Sequence, residues 1–269
     1  MELNMPLSCM FRVYKLILFI CLSIVSTNVY TQTSRLDLIL ARGEIRIGTT
    51  GDYKPFTYLN PGTGAYEGMD IDAAYMLGEA LGVSVQFVPT TWSNLSEDTQ
   101  NDRYDVAMGG ITRTLTRQKI LGLTDAYLTV GKSPLIRKTD QERFQNLQDI
   151  DQPGVRIGVN PGGTNESFVL SNISKAKIIM INNNLDIQPA VAAGKVDVMF
   201  TDNVEAVIYA RQNPALFAVN PSQPFTREDL GYLTSREDQP FINWLNLWIH
   251  QMELKGTLHE LKKKWIGKF

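Results

Sequence analysis

The sequence predicts an α/β fold arranged as two lobes, on three observations. Short β-branched runs alternate with helical patterns, the rhythm of a largely parallel sheet carrying crossover helices. That rhythm restarts after Lys132, so a second sheet is the simplest reading. The chain has 269 residues, and about 235 lie beyond an N-terminal export segment, enough for two lobes with real cores.

The export segment comes first. Arg12 and Lys15 precede the apolar run 16–25, and polar Ser26, Thr27 and Asn28 close it. The run is too short to span a bilayer, and its order of charge, apolar stretch and polar close reads as a signal peptide over residues 1–31. The expected destination is the periplasm, with cleavage near Thr31 and no stable membrane anchor afterwards; Met5 and Met10 are alternative starts. Both cysteines, Cys9 and Cys21, fall inside this segment. Ile20 stands where lipid attachment at Cys21 would need a small residue. The exported chain is therefore expected to lack disulfides, a thiolate nucleophile and a cysteine metal site. Export removes two of the 26 basic residues and one of the 28 acidic ones, leaving a net charge of about −3. Nothing in that balance suits nucleic acid.

Beyond the signal, residues 45–49, 83–88 and 105–108 read as strands and 70–81 as a helix. After Lys132 the strands are 155–159, 177–181 and 196–201, with helices between them. Residues 240–265 read as helical, with Trp244, Leu245, Trp248 and Ile249 on one face, which assigns both tryptophans to the core. Lys262, Lys263 and Lys264 read as a solvated helix end rather than a membrane patch. His250 and His259 show no metal-ligand spacing, so no metal site is expected.

Residues 159–166, Val-Asn-Pro-Gly-Gly-Thr-Asn-Glu, carry the most chemistry. A buried strand runs into a glycine turn that opens a helix at Glu166, and such a turn aims backbone N–H groups outward as an anion cradle. A phosphate loop would continue into Gly-Lys-Ser/Thr, whereas Gly163 is followed by Thr164 and Asn165, which favours a carboxylate as the anion. Glu166 is then either a proton donor beside the cradle or a first-turn acid complementing the helix dipole, with Thr164 as cap.

Essentially everything after residue 34 resembles the extracellular solute-binding proteins of the amino-acid type. The signposts are Gly43-Glu44-Ile45-Arg46-Ile47-Gly48, Gly68-Met69-Asp70-Ile71-Asp72, and Tyr104 through Thr112 before Arg117. The resemblance implies a periplasmic binding protein-like type II fold, two α/β lobes joined by two crossover strands with the ligand cleft between them. It implies a first lobe over 34–130 and 226–269 and a second over 131–225. Within that family the chain is similar to the cyclohexadienyl dehydratases, enzymes on a binding-protein scaffold that act on prephenate and arogenate. The strings carrying this are Thr49-Thr50-Gly51-Asp52-Tyr53-Lys54-Pro55-Phe56, Pro89 through Leu95, Asp151 through Val155 running on to Glu166, and Thr201 through Ala206. A receptor for an amino-acid importer and a ligand-sensing module stand as alternative classes.

The resemblance implies roles residue by residue. Arg117 would hold a ligand carboxylate with its guanidinium fork, helped by Thr112 and the backbone of Gly110; a surface arginine and a strand-end threonine are the plainer readings. Arg113 is assigned to the surface. Asp202 would face a ligand ammonium at the C-terminal edge of the second sheet, or cap the following helix. An ionised Asp202 would favour arogenate over prephenate unless Lys132, on the crossover strand, neutralises it; a solvated hinge lysine is the other reading. Trp92, Phe56 and Tyr53 would sandwich a six-membered ring or simply pack, and Asp52 is either a turn residue or a cleft residue. Glu166 would protonate the departing ring hydroxyl, with Asn160, Thr164 and Asn165 holding the ring carboxylate or hydroxyl. The gain of aromaticity makes one acid nearly sufficient, so no cofactor is expected.

Overall fold

The computed structural model describes residues 33–267. The expected signal peptide, with Cys9 and Cys21, lies outside the described residues.

In chain order the first lobe contributes α1 (Arg35–Arg42), β1 (Glu44–Thr49), the short strands β2 (Asp52–Tyr53), β3 (Thr57–Leu59) and β4 (Tyr66–Glu67), α2 (Met69–Leu81) and β5 (Ser84–Pro89). It continues with α3 (Leu95–Gln100), β6 (Val106–Thr112), α4 (Leu115–Ile120), β7 (Gly122–Leu123) and β8 (Leu128–Val130). The second lobe holds β9 (Lys132–Arg137), α5 (Leu147–Ile150), β10 (Arg156–Val159), α6 (Thr164–Asn172), β11 (Lys177–Met180), α7 (Ile187–Ala192), β12 (Val198–Asp202), α8 (Asn203–Gln212) and β13 (Leu216–Ala218). The chain then returns to the first lobe with β14 (Glu228–Thr234), α9 (Gln239–Leu254) and α10 (Thr257–Trp265).

The first sheet has the order β5-β1-β6-β14-β7, with β8 also on β14, and the second β11-β10-β12-β9-β13. Parallel pairing joins β1 to β5 and β6, and β10 to β11 and β12. The returning β14 and the entering β9 run antiparallel to their neighbours. Every residue of β6 is buried, which explains its unbroken small and apolar run Val-Ala-Met-Gly-Gly-Ile: a central strand covered on both faces has no solvent side to pattern. Ile45, Ile47, Val106 and Met108 pack with Leu245, Trp248 and Ile249 of α9, and partly buried Trp244 packs against the same cluster. In the second lobe Ile157, Val159, Val198 and Phe200 meet Val169 on one face, while Leu135, Met199, Ile187 and Ala206 form a core on the other.

Two segments join the lobes, β8 through Gly131 into β9, and the stretch leading into β14. They lie side by side: Phe225 N–H donates to Lys132 O at 2.7 Å, and Lys132 N–H to Thr226 Oγ1 at 3.0 Å. A Cβ on Gly131 would overlap the Thr226 carbonyl, so only glycine lets the segments run this close. The C-terminal helix expected as one span is two, α9 and α10, with Gly256 between them in a left-handed conformation. Nor is the basic run wholly solvated: Lys264 Nζ donates to Asp72 at 2.6 Å, and Trp265 Nε1 to the same oxygen at 2.7 Å. Among the described residues no helix is long and apolar enough to cross a membrane.

Candidate active site

The C-terminal ends of β1 and β6 face those of β10 and β12, the position where open α/β sheets present their loops to ligands. Tyr53, Trp92, Gly110 and Thr112 line the cavity from the first lobe. Asn160, Gly163, Thr164, Asn165, Asn184 and Asp202 line it from the second. The enclosed space is about 20 Å³, room for about one water molecule, so the lobes must part to admit a metabolite. They touch directly. Thr112 and Thr164 hydroxyls lie 3.2 Å apart, Asn184 Nδ2 donates to the Asp52 carbonyl at 3.0 Å, and Tyr53 OH donates to Asp202.

On the first lobe, α4 begins at the Thr114 cap and carries Arg117 one turn in. The residue is only 9% exposed and stands off the cavity wall; its guanidinium donates to Thr112 O at 2.7 Å and has no carboxylate partner among the described ion pairs. Burial pushes its pKa down to about 10, which still leaves it charged at neutral pH. Such a cation favours any anion that reaches it. Arg113 instead lies near Asp229, at 3.9 Å. Gly110 needs correction: its N–H donates to Asp70 Oδ2 at 2.6 Å, so that donor is spent inside the lobe and Gly110 contributes only wall. Asp70 also accepts from Tyr127 OH at 2.7 Å. Its pKa is raised to about 6 by burial, against those hydrogen bonds. The sequence marks Asp70 only as a helix opener, and its reach to residue 110 depends on α2 packing beneath β6.

Phe56 is a second correction. It is fully buried, with its ring centroid 5.1 Å from that of Tyr53, so it supports Tyr53 from behind and cannot sandwich a ligand ring. Tyr53 and Trp92 are the aromatic residues of the wall, at 5.7 Å and 77°. Half-buried Asp52 stands off the cavity and accepts from Trp92 Nε1 at 2.9 Å, fixing the indole. Burial raises the Asp52 pKa, opposed by the hydrogen bond from Trp92.

On the second lobe, α6 begins at Thr164, two residues before the expected Glu166, and Gly163 occupies the cap position without a side-chain bond. Thr164 is therefore no cap; its hydroxyl meets Thr112 and accepts from Lys132 Nζ at 3.0 Å. Asn160 and Asn165 line the cavity and make no side-chain hydrogen bonds to described residues, which leaves their donors and acceptors free. Glu166 is half-buried and not on the wall; its Oε2 accepts from Gly162 N–H at 2.7 Å, closing the glycine turn on itself.

Asp202 and Lys132 are cross-strand partners in β12 and β9. Lys132 Nζ donates to Asp202 Oδ1 at 2.7 Å, with Glu228 Oε2 at 3.5 Å. Asp202 holds the cap position of α8 but makes no cap bond. Lys132 is buried at its side rather than solvated. Asn184 escaped the sequence reading, where it is the last of three asparagines after β11; its buried Oδ1 has no partner among the described residues. Behind it lies Glu205, fully buried, accepting from the Thr201 hydroxyl. Burial pushes the Glu205 pKa up to about 8, with Asp202 and Asp52 adding to the rise. No group of three or more potential metal ligands occurs among the described residues.

A fold of two α/β lobes closing on a polar cleft is that of a solute-binding protein, and the chain belongs to the bacterial extracellular solute-binding proteins, family 3, whose model matches residues 45–268. It is 43% identical over 247 residues, 91% of each chain, to the cyclohexadienyl dehydratase of Pseudomonas aeruginosa. Among solved structures it resembles an ancestral amino-acid-binding protein described as a precursor of cyclohexadienyl dehydratase, at 37% identity and a TM-score of 0.82 over 87% of this chain and 100% of that one. It also resembles an ancestral cyclohexadienyl dehydratase, at 50% identity and a TM-score of 0.56 over 89% and 99%.

Proposed function

We propose that the chain is a periplasmic cyclohexadienyl dehydratase, a carbon–oxygen lyase that converts prephenate to phenylpyruvate or arogenate to phenylalanine. The carrying observation is the 43% identity to a dehydratase across 91% of both chains. Buried Arg117, beside the wall residue Thr112 and without an ion pair among the described residues, supports it. Arg117 and Thr112 bind the side-chain carboxylate. Trp92 and Tyr53 border the ring, while Asn160, Asn165 and the unpartnered Asn184 Oδ1 meet its hydroxyl and carboxylate.

In this reading Glu166 gives its proton to the ring hydroxyl, which leaves as water. The ring carboxylate departs as CO2, and the electron pair of its bond enters the ring, completing the aromatic sextet. Glu166 takes a proton back from solvent. The cleft contributes orientation and exclusion of water. For this step Glu166 exchanges its bond with Gly162 N–H for one with substrate held in the cleft.

That bond with Gly162 also favours a second reading, in which Glu166 only braces the turn and the chain is an amino-acid receptor of an importer. Incubating the purified protein with prephenate and following phenylpyruvate separates the two. Tight binding of an amino acid without turnover of prephenate or arogenate defeats the enzyme reading.

A further inference from the structure

We infer that the Lys132–Asp202 pair makes this cleft select an α-keto acid over the matching α-amino acid, so that prephenate is preferred to arogenate. The inference rests on the dehydratase reading for its substrates, but its geometry concerns the α-substituent alone.

An ammonium group entering a buried site needs a carboxylate whose charge is not already balanced by another cation, since a buried charge without a partner is costly. Asp202 is the sole carboxylate on the cavity wall among the described residues. Its Oδ1 is held within the second lobe by Lys132 Nζ at 2.7 Å, and its Oδ2 accepts from the Tyr53 hydroxyl when the lobes are closed. The pair is built into the fold, because the β12–β9 register sets residue 202 opposite residue 132. Lys132 is 1% exposed and Asp202 2%, so neither can turn to solvent to make room.

An incoming ammonium would share one carboxylate with a second, immovable ammonium, and like charges so placed oppose binding. A keto oxygen carries no charge and is an acceptor, which suits a wall carrying the Thr164 hydroxyl, a group that accepts from Lys132 Nζ just off the wall and can donate in turn. Glu228, 3.5 Å from Lys132, is not on the cavity wall and offers the ammonium no substitute. The same Asp202 in an unpaired state would recognise an amino acid; Lys132 is the specificity-determining residue.

Phenylpyruvate and L-phenylalanine differ only at the α-position, so calorimetric binding of each to the unaltered protein is the direct test. Phenylpyruvate should bind at least about tenfold more tightly. Equal or tighter binding of phenylalanine overturns the inference. Lys132→Met should narrow or invert the ratio by freeing Asp202 Oδ1; should that variant fail to fold, Tyr53→Phe, which frees Oδ2, is expected to narrow it. An unchanged ratio in a folded variant also counts against it. A protein that keeps the keto preference but turns over neither prephenate nor arogenate sinks the dehydratase reading and leaves this inference standing. Faster turnover of arogenate than of prephenate does the reverse.

Discussion

Gly162, in the turn ahead of α6, rests on the backbone of Ser93 in the opposite lobe, so that a Cβ at Gly162 would lie within 2.5 Å of Ser93 Cα. Gly162 also has a φ of 88°, a region that L side chains rarely adopt. The closed cleft therefore depends on this residue having no side chain. Gly162→Ala is expected to keep the lobes from meeting and lower turnover by about 100-fold, since small misplacements of positioning groups cost that much. Small-angle scattering should show a more open molecule, and an unchanged profile with full activity rejects this role.

Arg117 invites a test of function against stability. Arg117→Met removes a buried guanidinium that forms no ion pair among the described residues, so ligand affinity should fall by about 2–5 kcal/mol. The ligand-free protein should lose little stability, because the burial cost of the charge disappears together with its hydrogen bond to Thr112 O and its attraction to Glu228. Calorimetric binding and thermal unfolding measure the two sides. Retained affinity removes Arg117 from the site.

For Glu166 the expected outcome is a loss of turnover without a loss of binding. Glu166→Gln preserves the side chain's size and its acceptor for Gly162 N–H while deleting the transferable proton. Turnover of prephenate should drop at least about 100-fold, with substrate affinity retained. If turnover survives, the acid lies elsewhere in the cleft and Glu166 serves only to brace its turn.

Glu205 makes stability depend on pH. Its pKa rises from 4.5 to about 8 on folding, so between those values the folded protein holds a proton that the unfolded chain releases. The stability it contributes is full below 4.5, declines as pH rises and is gone above about 8. Glu205→Gln should flatten that decline and leave the variant the more stable protein at the alkaline end. Urea unfolding at several pH values checks this, and parallel curves for both proteins refute it.

Much of the architecture was legible in the sequence because local pattern dictates it. The β-branched runs at 45–49, 155–159 and 196–201 fall on β1, β10 and β12, each within about two residues, since a buried parallel strand needs a short apolar stretch and little else. The Asn-Pro-Gly-Gly-Thr-Asn-Glu turn likewise announced a cleft segment, because its glycines and polar residues serve no core.

Only the tertiary structure decided how the polar groups are spent. Gly110 N–H goes to Asp70, 40 residues away, Asp202 to Lys132 at a separation of 70, and Glu166 back to its own turn. Phe56 vanished into the core for the same reason that Tyr53 reached the wall: the two rings pack together, and the fold of the loop chose which stands in front. Sequence names the donors, acceptors and rings; strand register and lobe closure determine which are satisfied within the protein and which remain for a ligand, because a hydrogen bond depends on distances that residue types alone do not contain.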